Sequence, residues 1–82
     1  MIPVLISGTI QVTLEPKPSA RPNDIQAYEL RICYPLIDYT HTETVMASSE
    51  KDAALTARFL ARSVTRELSA QLETALKELD DD

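Results

Sequence analysis

Apolar and polar residues alternate along the first part of the chain. The even positions from 2 to 14 form one apolar series, broken only by a glycine: Ile2, Val4, Ile6, Gly8, Ile10, Val12 and Leu14. A period of two is typical of a strand with one buried face, so the pattern predicts a strand over residues 2–14. Gly8 keeps the phase and indicates a bulge or a point of close packing. A hairpin turn at Ser7 and Gly8 is the alternative, and it would give two very short strands.

The same alternation returns in the middle of the chain. Tyr28, Leu30, Ile32 and Tyr34 share one face of a second predicted strand over residues 25–34. Residues 39–46 are rich in threonine and valine, which favours a third strand. The short connection at 35–38 makes these two strands an antiparallel hairpin. Residues 16–24 contain three prolines and are expected to form a stiff surface loop.

The pattern changes to a helical period in the last third of the chain. Residues 49–79 contain neither glycine nor proline, and Ser49 followed by Asp52 has the spacing of a capping box. One apolar stripe follows at helical spacing: Ala53, Ala57, Leu60, Ala61, Val64 and Leu68. A helix over residues 49–79 should therefore cover the sheet. The chain is expected to form a single α+β domain, 1–82, with two layers in the order β-β-β-α and an acidic tail at 80–82.

The length of this helix raises a question about its end. Thirty-one helical residues span roughly 46 Å, whereas a compact chain of this size is roughly 30 Å across. Either the helix breaks, or it extends beyond the sheet and leaves leucines without a place in the core. We expect the second case and a homodimer that covers them through Leu68, Leu72, Leu76 and Leu79. The heptad-like run at this end, Leu68, Leu72, Ala75 and Leu79, covers about two heptads, fewer than a coiled coil needs.

The composition excludes several classes of protein. Apolar residues make up 44% of the chain, which is too many for a disordered segment. The single cysteine, Cys33, cannot form an internal disulfide, and no cluster of cysteine and histidine suggests a metal site. The apolar first residues lack the basic flank of a signal peptide, and no run approaches the length of about 20 apolar residues that a membrane span needs. We therefore expect a cytoplasmic protein without membrane association, metal or cofactor.

The net charge of −5 is concentrated at the C-terminus. Asp80, Asp81 and Asp82 contribute three of the five negative charges, so the body of the domain carries only −2. Nucleic-acid binding normally needs a basic surface, so direct contact with nucleic acid is not expected. The acidic end of the helix, with Glu73 and Glu78, favours a protein partner that has a basic surface.

Three arginines stand out against this acidic background. Arg58, Arg62 and Arg66 follow one another at four-residue spacing on the side of the helix away from the apolar stripe. They indicate either a strip that binds an anion or a partner, or an ordinary solvated helix face. Leu55 and Phe59 lie on the same side, which is typical of an interface hot spot or of first helical turns buried on two sides. The candidate partner-binding residues are Leu55, Arg58, Phe59, Arg62 and Arg66.

The remaining candidates for chemistry are few. His41 and Glu43 share one face of the third strand, as a general base or half of a metal site would. No second histidine or cysteine is placed to complete such a site, so an exposed strand face is the favoured interpretation. Cys33 fits a structural thiol. With a single glycine, the chain has no phosphate-binding loop or nucleophile elbow, and no catalytic residue is predicted.

The sequence thus predicts a small non-enzymatic domain that acts by binding or occluding a macromolecular partner. One concrete form of this hypothesis, based on size and character, is a phage-type inhibitor of a host defence complex, comparable to an anti-CRISPR protein. The alternative is a nucleic-acid-binding module that uses the helix face of Arg58, Arg62 and Arg66 together with the tyrosines of the sheet. A third class is an enzyme that works through His41 and Glu43.

Overall fold

The sheet has four antiparallel strands and is followed by one long helix. The computed structural model describes residues 1–18 and 25–81. The elements are β1 (Ile2–Ile6), β2 (Gln11–Pro16), β3 (Gln26–Tyr34), a single 3-10 turn (Pro35–Ile37), β4 (Tyr39–Ala47) and α1 (Glu50–Asp80). The strands lie side by side in chain order, so β1 and β4 form the two edges. The predicted α+β class, with an antiparallel sheet against a C-terminal helix, is confirmed, with four strands in place of three.

The fourth strand arises because residues 2–14 form a hairpin. β1 and β2 pair across a turn that the Ser7 hydroxyl closes: it accepts hydrogen bonds from the backbone N–H of Thr9 at 3.3 Å and of Ile10 at 3.1 Å. The prediction of a single strand over residues 2–14 was therefore wrong, and the alternative, a hairpin turn at Ser7 and Gly8 between two short strands, is confirmed. The role predicted for Gly8 was also wrong, since a Cβ atom there would meet nothing within 4 Å. A serine side chain that bonds to nearby backbone groups favours a turn over a continuous strand.

A bulge in β1 changes which side chains face the core. Pro3 pairs with Thr13 and Leu5 pairs with Val12, so Val4 is an extra residue between them. Residues opposite one another in a ladder share a face, which places Leu5, an odd-numbered residue, on the side of buried Val12. Ile6 is 56% exposed as a result. Burial of the even positions thus holds for β2 and fails in the second half of β1.

The core lies between one face of the sheet and a stripe of small residues on α1. The buried side chains are Val12, Leu14, Tyr28, Leu30, Ile32, Tyr34, Val45, Ala47, Ala53, Ala57 and Ala61. β3 contributes four of them, which are the four residues predicted to share its buried face. The helix contributes only alanines, and because their side chains are small, its backbone lies close to the sheet. Leu60, Val64 and Leu68 pack at the margin of this core.

One hydrogen bond caps the start of α1 and another ties the helix to the sheet. At the start of α1, the Ser49 hydroxyl accepts from the backbone N–H of Asp52 at 3.1 Å, as the capping-box spacing predicted. Farther along, the Tyr34 hydroxyl lies 2.7 Å from the Thr65 hydroxyl. Thr65 donates to the carbonyl of Ala61, so Tyr34 is the donor in this pair. The hydrogen bond ties the end of β3 to the middle of α1.

Beyond this point α1 leaves the sheet without breaking. The helix has 31 residues, and within the described chain none after Leu68 is buried or half-buried. The molecule measures 58 × 22 × 18 Å as a consequence. Part of the predicted proline-rich loop, residues 19–24, and the last residue of the acidic tail, Asp82, lie outside the described residues. Within the described ranges, no helix is both long and apolar enough to cross a bilayer.

Enlarging an alanine under the helix should destabilise the fold. Ala57 has no exposed surface, so Ala57→Leu would force α1 away from the sheet, and overpacking of this kind costs about 1–3 kcal/mol. The matched control is Ala70→Leu, the same substitution at an exposed position of the same helix, which we expect to change stability by less than about 0.5 kcal/mol. Urea denaturation measures both. Equal effects of the two substitutions would contradict the close helix–sheet contact.

Candidate protein interface

The arginines and apolar residues singled out in the sequence lie together on the solvent side of α1. Leu55 is 60% exposed and Phe59 is 68% exposed, and Arg58, Arg62 and Arg66 are exposed beside them. We call these five residues the Arg–Phe surface. Burial of the first helical turns on two sides, one interpretation of Leu55 and Phe59, does not fit these exposures. A phenylalanine with two thirds of its surface in water contributes little to the fold.

The three guanidinium groups have no carboxylate partner in the described chain. Within residues 1–18 and 25–81, no acidic oxygen lies within 4.0 Å of the guanidinium nitrogens of Arg58, Arg62 or Arg66, and the contact of this kind that is found joins His41 and Glu43. Arg58 instead donates from Nη2 to the backbone carbonyl of Val4 at 3.3 Å. This bond reaches the bulge of β1 and fixes one side of the surface to the sheet. The positive charge of the arginines is therefore available to an incoming anion.

A groove lies beside the arginines, between α1 and the β1–β2 hairpin. Its volume is about 250 Å³, and its lining consists of Leu5, Ile10, Val12, Arg58, Ala61, Arg62 and Thr65. Arg62 and Phe59 also line a second, open depression with Ser63, Arg66 and Glu67. Sequence reasoning missed Leu5 and Ile10, because the bulge that turns Leu5 toward the helix leaves no mark on the alternation. Apolar walls with guanidinium groups at the rim fit an apolar side chain next to a carboxylate.

The free end of α1 carries a second apolar surface. Leu72 is 54% exposed, Leu76 is 58% exposed and Leu79 is 77% exposed. Leu68, which is half-buried, connects them to the margin of the core. We call these four residues the leucine end. Three large apolar side chains on successive turns, all outside the core, are typical of an interaction surface.

His41 and Glu43 share one face of β4, as expected, but this face is turned toward α1 and both residues are half-buried, so the favoured interpretation of an exposed strand face was wrong. Nε2 of His41 lies 2.9 Å from Oε1 of Glu43, and the two side chains are 31% and 38% exposed. His41 lines a small groove together with Tyr39 and the helix residues Val64, Glu67, Leu68 and Gln71. In the described ranges no group of three or more histidine, cysteine, aspartate or glutamate residues is placed to hold a metal ion. Cys33 is a free, half-buried thiol in β3.

Removal of Phe59 should leave the stability of the fold nearly unchanged. Because the ring is 68% exposed, we expect Phe59→Ala to alter the free energy of unfolding by less than about 0.5 kcal/mol. The matched control is Leu30→Ala in the core, at a residue with no exposed surface, for which a loss of about 2–5 kcal/mol is expected. Denaturant titration compares the two. A loss above about 2 kcal/mol for Phe59→Ala would show that the ring is covered in solution.

Comparison with known proteins gives no family or structural relative. The chain shows no significant match to any protein-family model, curated protein sequence or solved structure.

Proposed function

We propose that the chain is a small non-enzymatic protein-binding domain, and that the Arg–Phe surface is where its partner docks. The observation that supports this most is the exposure of Phe59, at 68%, beside three arginines that have no described carboxylate partner. An exposed aromatic ring surrounded by guanidinium groups has the composition of an interface hot spot. The fold itself does not require either feature, because the buried side of α1 is made of alanines.

The physical contributions to docking can be ranked. Covering Phe59 would supply about 1.5–3 kcal/mol from burial of its ring. Leu55, one turn earlier and 60% exposed, would add a smaller contribution of the same kind. Bidentate pairing of an arginine with a carboxylate adds direction and specificity. The apolar contact is therefore the main source of affinity, and the arginines select which partner binds.

The partner that fits this surface carries apolar and acidic side chains together. This charge is opposite to that of the basic partner expected from the acidic tail. The two expectations concern different surfaces. The Arg–Phe surface covers the first half of α1, whereas the acids Glu73, Glu78 and Asp80 lie in its second half. We place docking on the first half because it combines charge with exposed apolar area and an adjacent groove.

Inhibition is one form that this function would take. A domain of this size that covers a partner's own binding site would block that site, as a phage-type inhibitor of a host defence complex does. Nucleic acid is the rival ligand for the arginines. Three guanidinium groups on one helix, followed by Glu67 and Glu73, make a short basic patch compared with the surfaces that release many counterions from a phosphate backbone. Protein is therefore the preferred partner.

Site-specific crosslinking tests the docking surface in cells that contain the natural partner. A photoreactive phenylalanine analogue at position 59 should give a discrete crosslinked protein, identified by mass spectrometry. The matched control carries the same analogue at Thr74, an exposed residue about 15 positions farther along α1, and should not give that product. Arg62→Ala together with Arg66→Ala should weaken binding of the identified partner by at least about tenfold, as expected for the loss of two charge-assisted contacts.

Two outcomes would contradict this proposal. The first is the same crosslinked protein from positions 59 and 74, since binding would then not be localised to the Arg–Phe surface. The second is binding of DNA or RNA at low salt that weakens steeply as salt is raised, which would identify nucleic acid as the ligand.

We also propose that the leucine end joins two copies of the chain. Leu72, Leu76 and Leu79 lie beyond the sheet and are more than half exposed, so the core of their own chain cannot cover them. Each leucine would contribute about 2 kcal/mol when buried between chains. A second copy presents the same apolar residues at the same spacing, and paired identical surfaces are the usual basis of twofold symmetry.

Charges placed at the leucine end should lower the mass of the assembly. We expect the unmodified protein to have at least twice the chain mass at micromolar concentration, and Leu72→Asp with Leu76→Asp to reduce that mass, because the new carboxylates would be desolvated between chains. The control is Ala70→Asp with Thr74→Asp, which adds the same charge to exposed positions on another face of the same turns. Multi-angle light scattering measures all three. A monomeric unmodified protein would disprove the dimer.

A further inference from the structure

The two edges of the sheet differ in how well they are protected from pairing with another strand. β1 contains Pro3 and the bulge at Val4, and the carbonyl of Val4 already accepts a hydrogen bond from Arg58. Proline and bulges are the devices that prevent edge-to-edge association. β4 has nine residues in continuous register with β3 and contains no proline, lysine or bulge. No described segment pairs with its outer side.

Two copies of β4 that run antiparallel can place complementary residues opposite each other. Thr42 lies at the centre, with His41 before it and Glu43 after it, and threonines follow on both sides at positions 40 and 44. We propose that β4 pairs antiparallel with β4 of a second copy, centred on Thr42. In that register Thr42 lies opposite Thr42, His41 opposite Glu43, Thr40 opposite Thr44, and Tyr39 opposite Val45.

The neighbouring registers are less favourable. Centring the pair on His41 would place the two imidazole rings opposite each other, and centring it on Glu43 would do the same with two carboxylates. Like charges opposite each other destabilise a ladder, whereas aromatic–β-branched, Thr–Thr and opposite-charge pairs each contribute about 0.2–1 kcal/mol. Of the three registers, only the one centred on Thr42 pairs histidine with glutamate.

The burial pattern of β4 agrees with this arrangement. His41, Glu43 and Val45 are half-buried or buried on the side of α1, whereas Thr40, Thr42 and Thr44 are exposed. In the proposed register, the residues on the helix side of one copy lie opposite the residues on the helix side of the other. Both helices therefore lie on the same face of a continuous eight-stranded sheet. Each Glu43 then has its own His41 at 2.9 Å and the partner copy's histidine across the ladder. The two histidines and the two glutamates thus alternate around a closed ring of four side chains.

This interface is separate from the surfaces proposed above. It uses the sheet edge, whereas the leucine end and the Arg–Phe surface belong to the free end and the outer side of α1. The two self-interfaces have different twofold axes, so together they would join more than two copies. For that reason the β4 interface is tested with Leu72→Asp and Leu76→Asp present, which removes the other contact whether or not it forms.

An exchange of two charges tests the pairing register. In the Leu72→Asp, Leu76→Asp background we expect a dimer by light scattering and analytical ultracentrifugation. His41→Glu should raise its dissociation constant at least about tenfold, because two symmetry-related pairs change from attraction to repulsion. Adding Glu43→His to His41→Glu restores the self-complementary order, with the two residues exchanged, and should restore the dimer. Circular dichroism and thermal unfolding check that each variant folds.

Disulfide trapping supplies an independent measurement in the same background with Cys33→Ser. Residues directly opposite in an antiparallel ladder have Cα atoms about 4.5–5.5 Å apart, within the range that a disulfide spans. Thr42→Cys should therefore give a covalent dimer on mild oxidation. Thr40→Cys is the matched control, since its two copies would lie about 14 Å apart and should stay monomeric.

The β4 proposal fails under any of four results. A monomer in the background protein at about 100 μM, a dimer that His41→Glu does not weaken, or a swapped variant that does not recover would each overturn it, as would equal trapping at positions 40 and 42. These results do not involve Phe59 or the arginines, so they leave the docking proposal and its crosslinking test unaffected.

Discussion

The contact between the alanine stripe of α1 and the sheet determines the rest of the molecule. Ala53 and Ala57 have no exposed surface and Ala61 has 6%, so the buried side of the helix meets the sheet through small side chains. This contact uses a narrow strip of the helix over its first half. The outer side of α1 and its second half are left uncovered as a result. The edge of β4 is open for a different reason, which is that β4 is the last strand of the sheet.

The parts of this fold that could be predicted are those that a local pattern determines. The α1 stripe, its Ser49 cap and the β3–β4 hairpin follow from periodicity and turn chemistry. The β1–β2 hairpin was only an alternative in the sequence, because the apolar phase continues through the turn, and the hydrogen bonds of Ser7 show that the turn forms. The bulge at Val4 is likewise invisible in the sequence. Phe59 and the arginines were placed correctly on one side of α1, but the groove beside them depends on Leu5 and therefore on that bulge.

The proposed interfaces share one physical origin, which is the small size of the domain. A chain of 82 residues buries a modest fraction of its apolar surface and has a correspondingly small margin of stability. Contacts between copies would add to that margin through mass action, because a partner that binds only the folded state stabilises it. The exposed leucines and the unprotected edge of β4 are consistent with a fold that is completed by association. The proposed association would be restricted to particular surfaces, because the edge at β1 is protected by Pro3 and the bulge at Val4.

The unbroken helix also has a mechanical consequence. An α-helix advances about 1.5 Å per residue, so Phe59 and Leu76 are separated by roughly 26 Å along a stiff rod. The rod contains neither glycine nor proline, and no kink shortens this distance. Two bodies held at these positions would therefore be kept at a fixed separation. The length of α1 therefore sets the distance between the two surfaces, just as their side chains set their chemistry.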